Sequence, residues 1–77
     1  MSAAGAGAPG PVPGTDDLVG RLAAAAEELA DMALDRLQRA LDAGDGAPHL
    51  AVEERRLTRA RRSVERAIGI LGAGDAP

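Results

Sequence analysis

Arg55, Arg59, Arg62 and Arg66 follow one another at steps of four, three and four residues. On a helix that spacing brings four guanidinium groups onto one line. Like charges at i,i+4 oppose helix formation by roughly 0.2–0.5 kcal/mol per pair, so such a row is an unfavourable surface unless it faces an anion. Guanidinium forks suit bidentate contacts to phosphate or carboxylate, which makes the row a candidate anion or partner strip. The competing reading is a solvated helix face. All nine cations are Arg and none is Lys, and with the abundant Ala, Gly and Pro this resembles the coding bias of a GC-rich genome. A second series, Glu28, Asp31, Asp35 and Asp42, repeats with the same periodicity and opposite sign. The two are chemically complementary. Exposed ion pairs contribute only about 0–1 kcal/mol each, so such strips steer an association rather than drive it.

Other residue types that do chemistry are scarce or badly spaced. Asp16–Asp17, Glu27–Glu28 and Glu53–Glu54 are adjacent pairs, and neighbours on a helix diverge by about 100° instead of converging on one proton or metal. Thr15, Thr58 and Ser63 have no His–acid pair to activate them. His49 is the single His and Cys is absent, which removes thiolates, disulfides and the usual zinc sets. The glycines fall in tails and caps, outside any strand–loop–helix context for binding phosphate. No catalytic, cofactor-binding or metal residue is therefore expected, and the chain is not read as an enzyme. The aromatic count is zero, so there are no rings to stack on bases or to insert into an acyl boundary.

The elements that position these residues are two helices. Residues 1–14, MSAAGAGAPGPVPG, are nearly all Ala, Gly and Pro and are expected to form a disordered tail. Thr15 is the expected N-cap of a helix over residues 16–43, with Asp16 and Asp17 complementing the positive end of its dipole. Leu18, Leu22, Ala26, Leu29, Ala33, Leu37 and Ala40 recur at steps of three and four, the period of an amphipathic helix. Val19, Ala30, Leu34 and Leu41 widen that stripe on one flank, and Ala25 and Met32 on the other. Gly44-Asp45-Gly46 supplies a left-handed C-cap and a loop over 44–47. Pro48, at a favoured first position, opens a second helix predicted to run to Leu71. Its stripe is narrower: Leu50, Glu53, Leu57, Ala60, Val64, Ala67 and Leu71, with Ile68 beside it. Glu53 interrupts this seam and Arg36 interrupts the first; a pair between them that fixes register is one reading, and contact with water, since Glu53 lies near the loop, is the slightly favoured one. Residues 73–77 read as a second tail.

So short a loop forces an antiparallel pair, giving an all-α two-helix hairpin. Two helices cover one side of each other, whereas the apolar arc of the first spans nearly half its circumference. Helices derive most of their stability from packing that arc. The expected outcome is a four-helix bundle, reached by dimerisation or by docking on a larger protein. Leu22, Leu29, Ala33, Leu37, Leu50, Leu57, Val64, Ile68 and Leu71 are the expected interface residues. The expected role is a small interaction or oligomerisation module: an adaptor, accessory subunit or regulator.

Binding of nucleic acid through the Arg strip is the alternative. The net charge of −3 opposes indiscriminate attraction to polyanions, although residues 49–77 are net basic. No run approaches the roughly 18–20 apolar residues of a membrane span. The first residues lack the basic and apolar regions of a secretory signal, which makes the cytoplasm the expected compartment.

Overall fold

The computed structural model describes residues 10–72. Two helices pack side by side and antiparallel, α1 over Asp16–Ala43 and α2 over Pro48–Gly72.

Each boundary has a local cause. At the start of α1 the Thr15 carbonyl accepts the Val19 N–H at 2.8 Å. The Thr15 side chain makes no cap hydrogen bond; its hydroxyl donates instead to the Val12 carbonyl at 2.8 Å. Thr15 thus sits at the expected cap position, but its side chain closes the preceding turn. Asp16 and Asp17 occupy the first turn, and Asp17 meets Arg21 one turn on at 3.4 Å. At the far end Gly44 has φ 58° and ψ −120°. The positive φ is the expected one, yet the ψ is not that of a left-handed helical residue. It is the first central position of a type II′ turn, closed by the Gly46 N–H on the Ala43 carbonyl at 2.9 Å.

Of the expected N-terminal tail, residues 1–9 lie outside the described residues, as do 73–77. Gly10–Gly14 are described. Pro13 followed by Gly14 at φ 82° has the sequence and backbone sign of a type II turn. It folds the chain back so that the Val12 N–H donates to the Leu71 carbonyl at 2.8 Å. That bond occupies one of the carbonyls that a helix C-terminus leaves unpaired, and it ties the segment before α1 to the end of α2.

The seam follows a heptad. Val19, Leu22, Ala26, Leu29, Ala33, Arg36 and Ala40 form the inward line of α1, all buried or half-buried. Leu18 and Leu37, expected in that line, are 41% and 43% exposed; Val19 and Arg36, one residue away, take their places. On α2 the inward residues are Leu50, Leu57, Val64 and Leu71 at seven-residue steps, flanked by Glu54, Arg61 and Ile68 on one side and by Glu53 and Ala67 on the other. Ala60, expected in the seam, is exposed, and Arg61 leans in instead. Among the described residues only Ala26 and Ala33 are buried, at 6% and 8% exposed. They lie seven apart on α1, where small side chains let two helices approach.

Candidate interaction surfaces

A two-helix layer has two faces and two edges, and in this hairpin each carries a different chemistry. Ala23, Ala30 and Leu37 lie at seven-residue steps, as do Glu27, Leu34 and Leu41, and together they form the α1 half of one face. Across the groove from Ala23 and Ala30 stand Arg61, Glu65 and Ile68. This face is apolar on α1 alone: Leu34, Leu37 and Leu41 are 53%, 43% and 73% exposed, while α2 contributes mainly Glu54, Thr58, Arg61 and Glu65. Thr58 donates its hydroxyl to Glu54 at 2.9 Å.

The opposite face is marked by a groove lined by Arg36, Glu53, Arg56 and Leu57. Its α1 line is Leu18, Ala25, Met32 and Arg39; its α2 lines are Glu53–Ala60–Ala67 and Arg56–Ser63–Ile70, again at seven-residue steps. Leu18, Met32 and Ile70 remain 41–44% exposed here. Toward the open end of the hairpin, this face is apolar on both helices.

One polar link joins the helices in this face. Arg36 donates through Nε to Glu53 Oε1 at 2.9 Å and through a terminal nitrogen to Asp35 at 2.9 Å. Of the two readings of Glu53, the pair with Arg36 is the one formed and the slightly favoured contact with water alone is corrected: the loop is tight enough to hold Glu53 level with Arg36. The hydrogen bond that Arg36 donates to Glu53 is the main cause raising the Arg36 pKa; burial opposes it, and the bond donated to Asp35 adds a smaller upward push. Arg39 adds a contact to Asp35 at 3.2 Å. These residues interrupt both apolar seams, which was visible in the sequence; their pairing needed the helix register.

The edges are charged. Arg55, Arg59, Arg62 and Arg66 are all exposed on the outer edge of α2, as their spacing predicted. Arg56 joins them near the groove face, a fifth cation that strict phase counting left out. Among the described residues Arg21, Arg36, Arg39 and Arg61 have carboxylates within ion-pair distance, whereas these five do not. Glu28, Asp31, Asp35 and Asp42 mark the outer edge of α1. Glu28, Asp31 and Asp42 have no ion-pair partner among the described residues, while Asp35 is shared between Arg36 and Arg39. Counted by helix, α1 carries seven acids against three Arg, and α2 six Arg against three Glu. The hairpin is thus polarised from edge to edge.

Of the expected interface residues, Leu22, Leu29, Ala33, Leu50, Leu57, Val64, Ile68 and Leu71 lie in or beside the seam between α1 and α2, and Leu37 stands outside it. His49 is exposed at the start of α2. No helix among the described residues is long and apolar enough to cross a membrane. No family model matches the chain, and it matches no curated protein and no solved structure.

Proposed function

We propose that the chain is a helical assembly module whose working form is a bundle of hairpins built from two copies. One observation carries this reading. The buried core of the described chain is two alanines, while Leu18, Met32, Leu34, Leu37, Leu41, Val52 and Ile70 on its helices each stay 41–73% exposed. Each of these side chains contributes roughly 1.5–3 kcal/mol if fully removed from water, and ordering each residue costs about 1–2 kcal/mol of backbone entropy. A second apolar layer supplies the missing burial. The role is adaptor, accessory subunit or regulator, exerted through the assembled bundle.

Sedimentation equilibrium at low micromolar concentration tests it. A species of twice the chain mass, with a melting temperature that falls on dilution, is the expected result. A fully helical monomer with a dilution-independent melt would overturn the reading.

A second reading rests on the five arginines with no carboxylate within ion-pair distance among the described residues, which fit phosphodiester oxygens. Binding would be carried by phosphates, so affinity for DNA or RNA should fall with salt at a log–log slope of about −0.9 per contact on duplex DNA. Replacing Arg55, Arg59, Arg62 and Arg66 by Gln should abolish it. Retention on nucleic acid unchanged by those substitutions excludes the strip as the binding surface.

A further inference from the structure

The two charged edges are matched in height as well as in sign. Two features set the register of the hairpin: Arg36 bonded to Glu53 at 2.9 Å, and Ala43 and Pro48 on either side of the loop. In that register Asp35 stands level with Arg55, Asp31 with Arg59 and Glu28 with Arg62. Within one hairpin these pairs cannot meet, because each member points away from the seam on opposite edges. A second hairpin laid over the first can bring them together, and only in one of the two symmetric ways of stacking.

If the two-fold axis runs across the helices, α1 lies over the other α1 and the loops sit at opposite ends. Acidic edge then meets acidic edge, and arginines meet arginines. If the axis runs along the helices, α1 lies over the other copy's α2 and the loops share one end. Rotation about that axis preserves height, so Asp31 of each copy comes level with Arg59 of the other and Glu28 with Arg62. Asp35, already held by Arg36 and Arg39, comes level with Arg55. Arg66 is level with Ala24 and gains nothing. Packed helices lie 8–10 Å apart, axis to axis. That separation is about one Debye length or slightly more at physiological salt, so the charges act across it weakly there and more strongly at low salt.

The apolar surface selects the same arrangement. Stacking α1 on α2 requires a face apolar on both helices, and toward the open end that is the face of Leu18, Ala25, Ala67 and Ile70; nearer the loop the same face carries Arg36, Glu53 and Arg56. At equal height Leu18 of one copy faces the Ile70 region of the other, and Ala25 the Ala67 region. The opposite face, with Leu34, Leu37 and Leu41 on α1 against Glu54, Thr58 and Glu65 on α2, would lay leucines over charge.

We infer that a second copy of this chain docks on the Leu18–Met32–Ile70 face with both loops at the same end, the acidic edge of each α1 lying beside the arginine edge of the other's α2. This rests on the assembly reading above and specifies its geometry. The chain has no Cys, so a single spin label at Asp45→Cys, in the exposed loop, reports the loop-to-loop distance in the assembled full-length protein by pulsed electron resonance. A distance under roughly 25 Å is expected for loops stacked at one end of a bundle. A distance near 40 Å, about the length of a 28-residue helix, overturns the geometry while leaving assembly intact. Sedimentation of the same labelled sample separates that result from a failure to assemble, which removes both. In a second arm, Arg55→Glu, Arg59→Glu and Arg62→Glu together should weaken assembly at least tenfold in 50 mM salt and far less in 1 M salt. Assembly equal to the parent's at low salt, with helicity retained, also overturns the charge-matched geometry.

Discussion

At the residue scale, glycines separate backbone necessity from chance. Gly44 adopts φ 58° and ψ −120°, a region that a side chain makes costly, so Gly44→Ala should destabilise the hairpin by about 1–3 kcal/mol. Chains of this size shift their melting point by about 4–8 °C per kcal/mol, and a circular-dichroism melt would show it. Gly20 is the reverse case: it lies mid-helix without a positive φ, and a Cβ there meets nothing within 4 Å. Gly20→Ala should raise stability by roughly 0.5–1 kcal/mol through helix propensity alone. A lowered melting point would show that Gly20 is needed for close packing in the assembly.

The same scale holds the Arg36–Glu53 pair. With 26% and 44% of their side-chain surface exposed, both ions retain much of their hydration, and the pair sits where leucines would otherwise meet. Replacing a half-buried ion pair by apolar residues of similar size is commonly neutral or stabilising. Arg36→Leu with Glu53→Leu should therefore raise the melting temperature, whereas Glu53→Leu alone should lower it by leaving Arg36 short of its main partner. Interaction with Glu53 raises the Arg36 pKa. A cation whose folded pKa is raised contributes stability below its unfolded pKa and loses it only as pH climbs through the folded value. Arg36 thus contributes no pH dependence anywhere near neutrality.

At the scale of elements, much of the fold was legible because local signals agreed. Thr15, the Asp16–Asp17 turn, the Gly44–Gly46 loop and Pro48 mark boundaries by chemistry acting within four residues. The short loop then leaves antiparallel packing as the only outcome. Phase was less legible. The α1 arc includes apolar residues on five adjacent heptad lines, so several rotations bury nearly equal area, and α2 selects among them. This is why Val19 and Arg36 face inward where Leu18 and Leu37 were expected. The Val12–Leu71 bond shows the same limit: Pro13-Gly14 announces a turn, but the carbonyl it reaches is 59 residues away. The candidate surfaces divided likewise: the arginine edge followed from spacing alone, while its match with Glu28 and Asp31 required the register. That register also makes the strap testable, because the Val12 amide should exchange with deuterium more slowly than that of Gly10. Substituting Gly14, held at φ 82°, by Ala should erase the difference without unfolding α1.

For the whole molecule, the unequal faces give a sharper test than composition does. Both faces expose large apolar side chains, but a flat second layer needs apolar contact from both helices, and only the face with Met32 provides it, toward the open end of the hairpin; Met32 itself comes level with the stretch of α2 that holds Arg56 and Ala60. Met32→Gln and Leu41→Gln are a matched pair of substitutions, since Met, Leu and Gln have similar helix propensity and neither change adds charge. Met32 is 42% exposed and Leu41 73% exposed, so an argument from exposure alone would assign the larger loss to Leu41. Symmetric docking reverses that order. A symmetric bundle would contain two copies of Met32, and covering the exposed part of both would contribute about 1–3 kcal/mol, enough for at least several-fold in Kd. Met32→Gln should therefore weaken assembly by about tenfold, while Leu41→Gln should leave the dissociation constant within about twofold and improve solubility by shrinking an apolar patch. Sedimentation of the two variants at matched concentration decides between the faces. If Leu41→Gln is the one that dissociates, the leucine stripe of α1 is the contact between copies, and the hairpins meet α1 against α1.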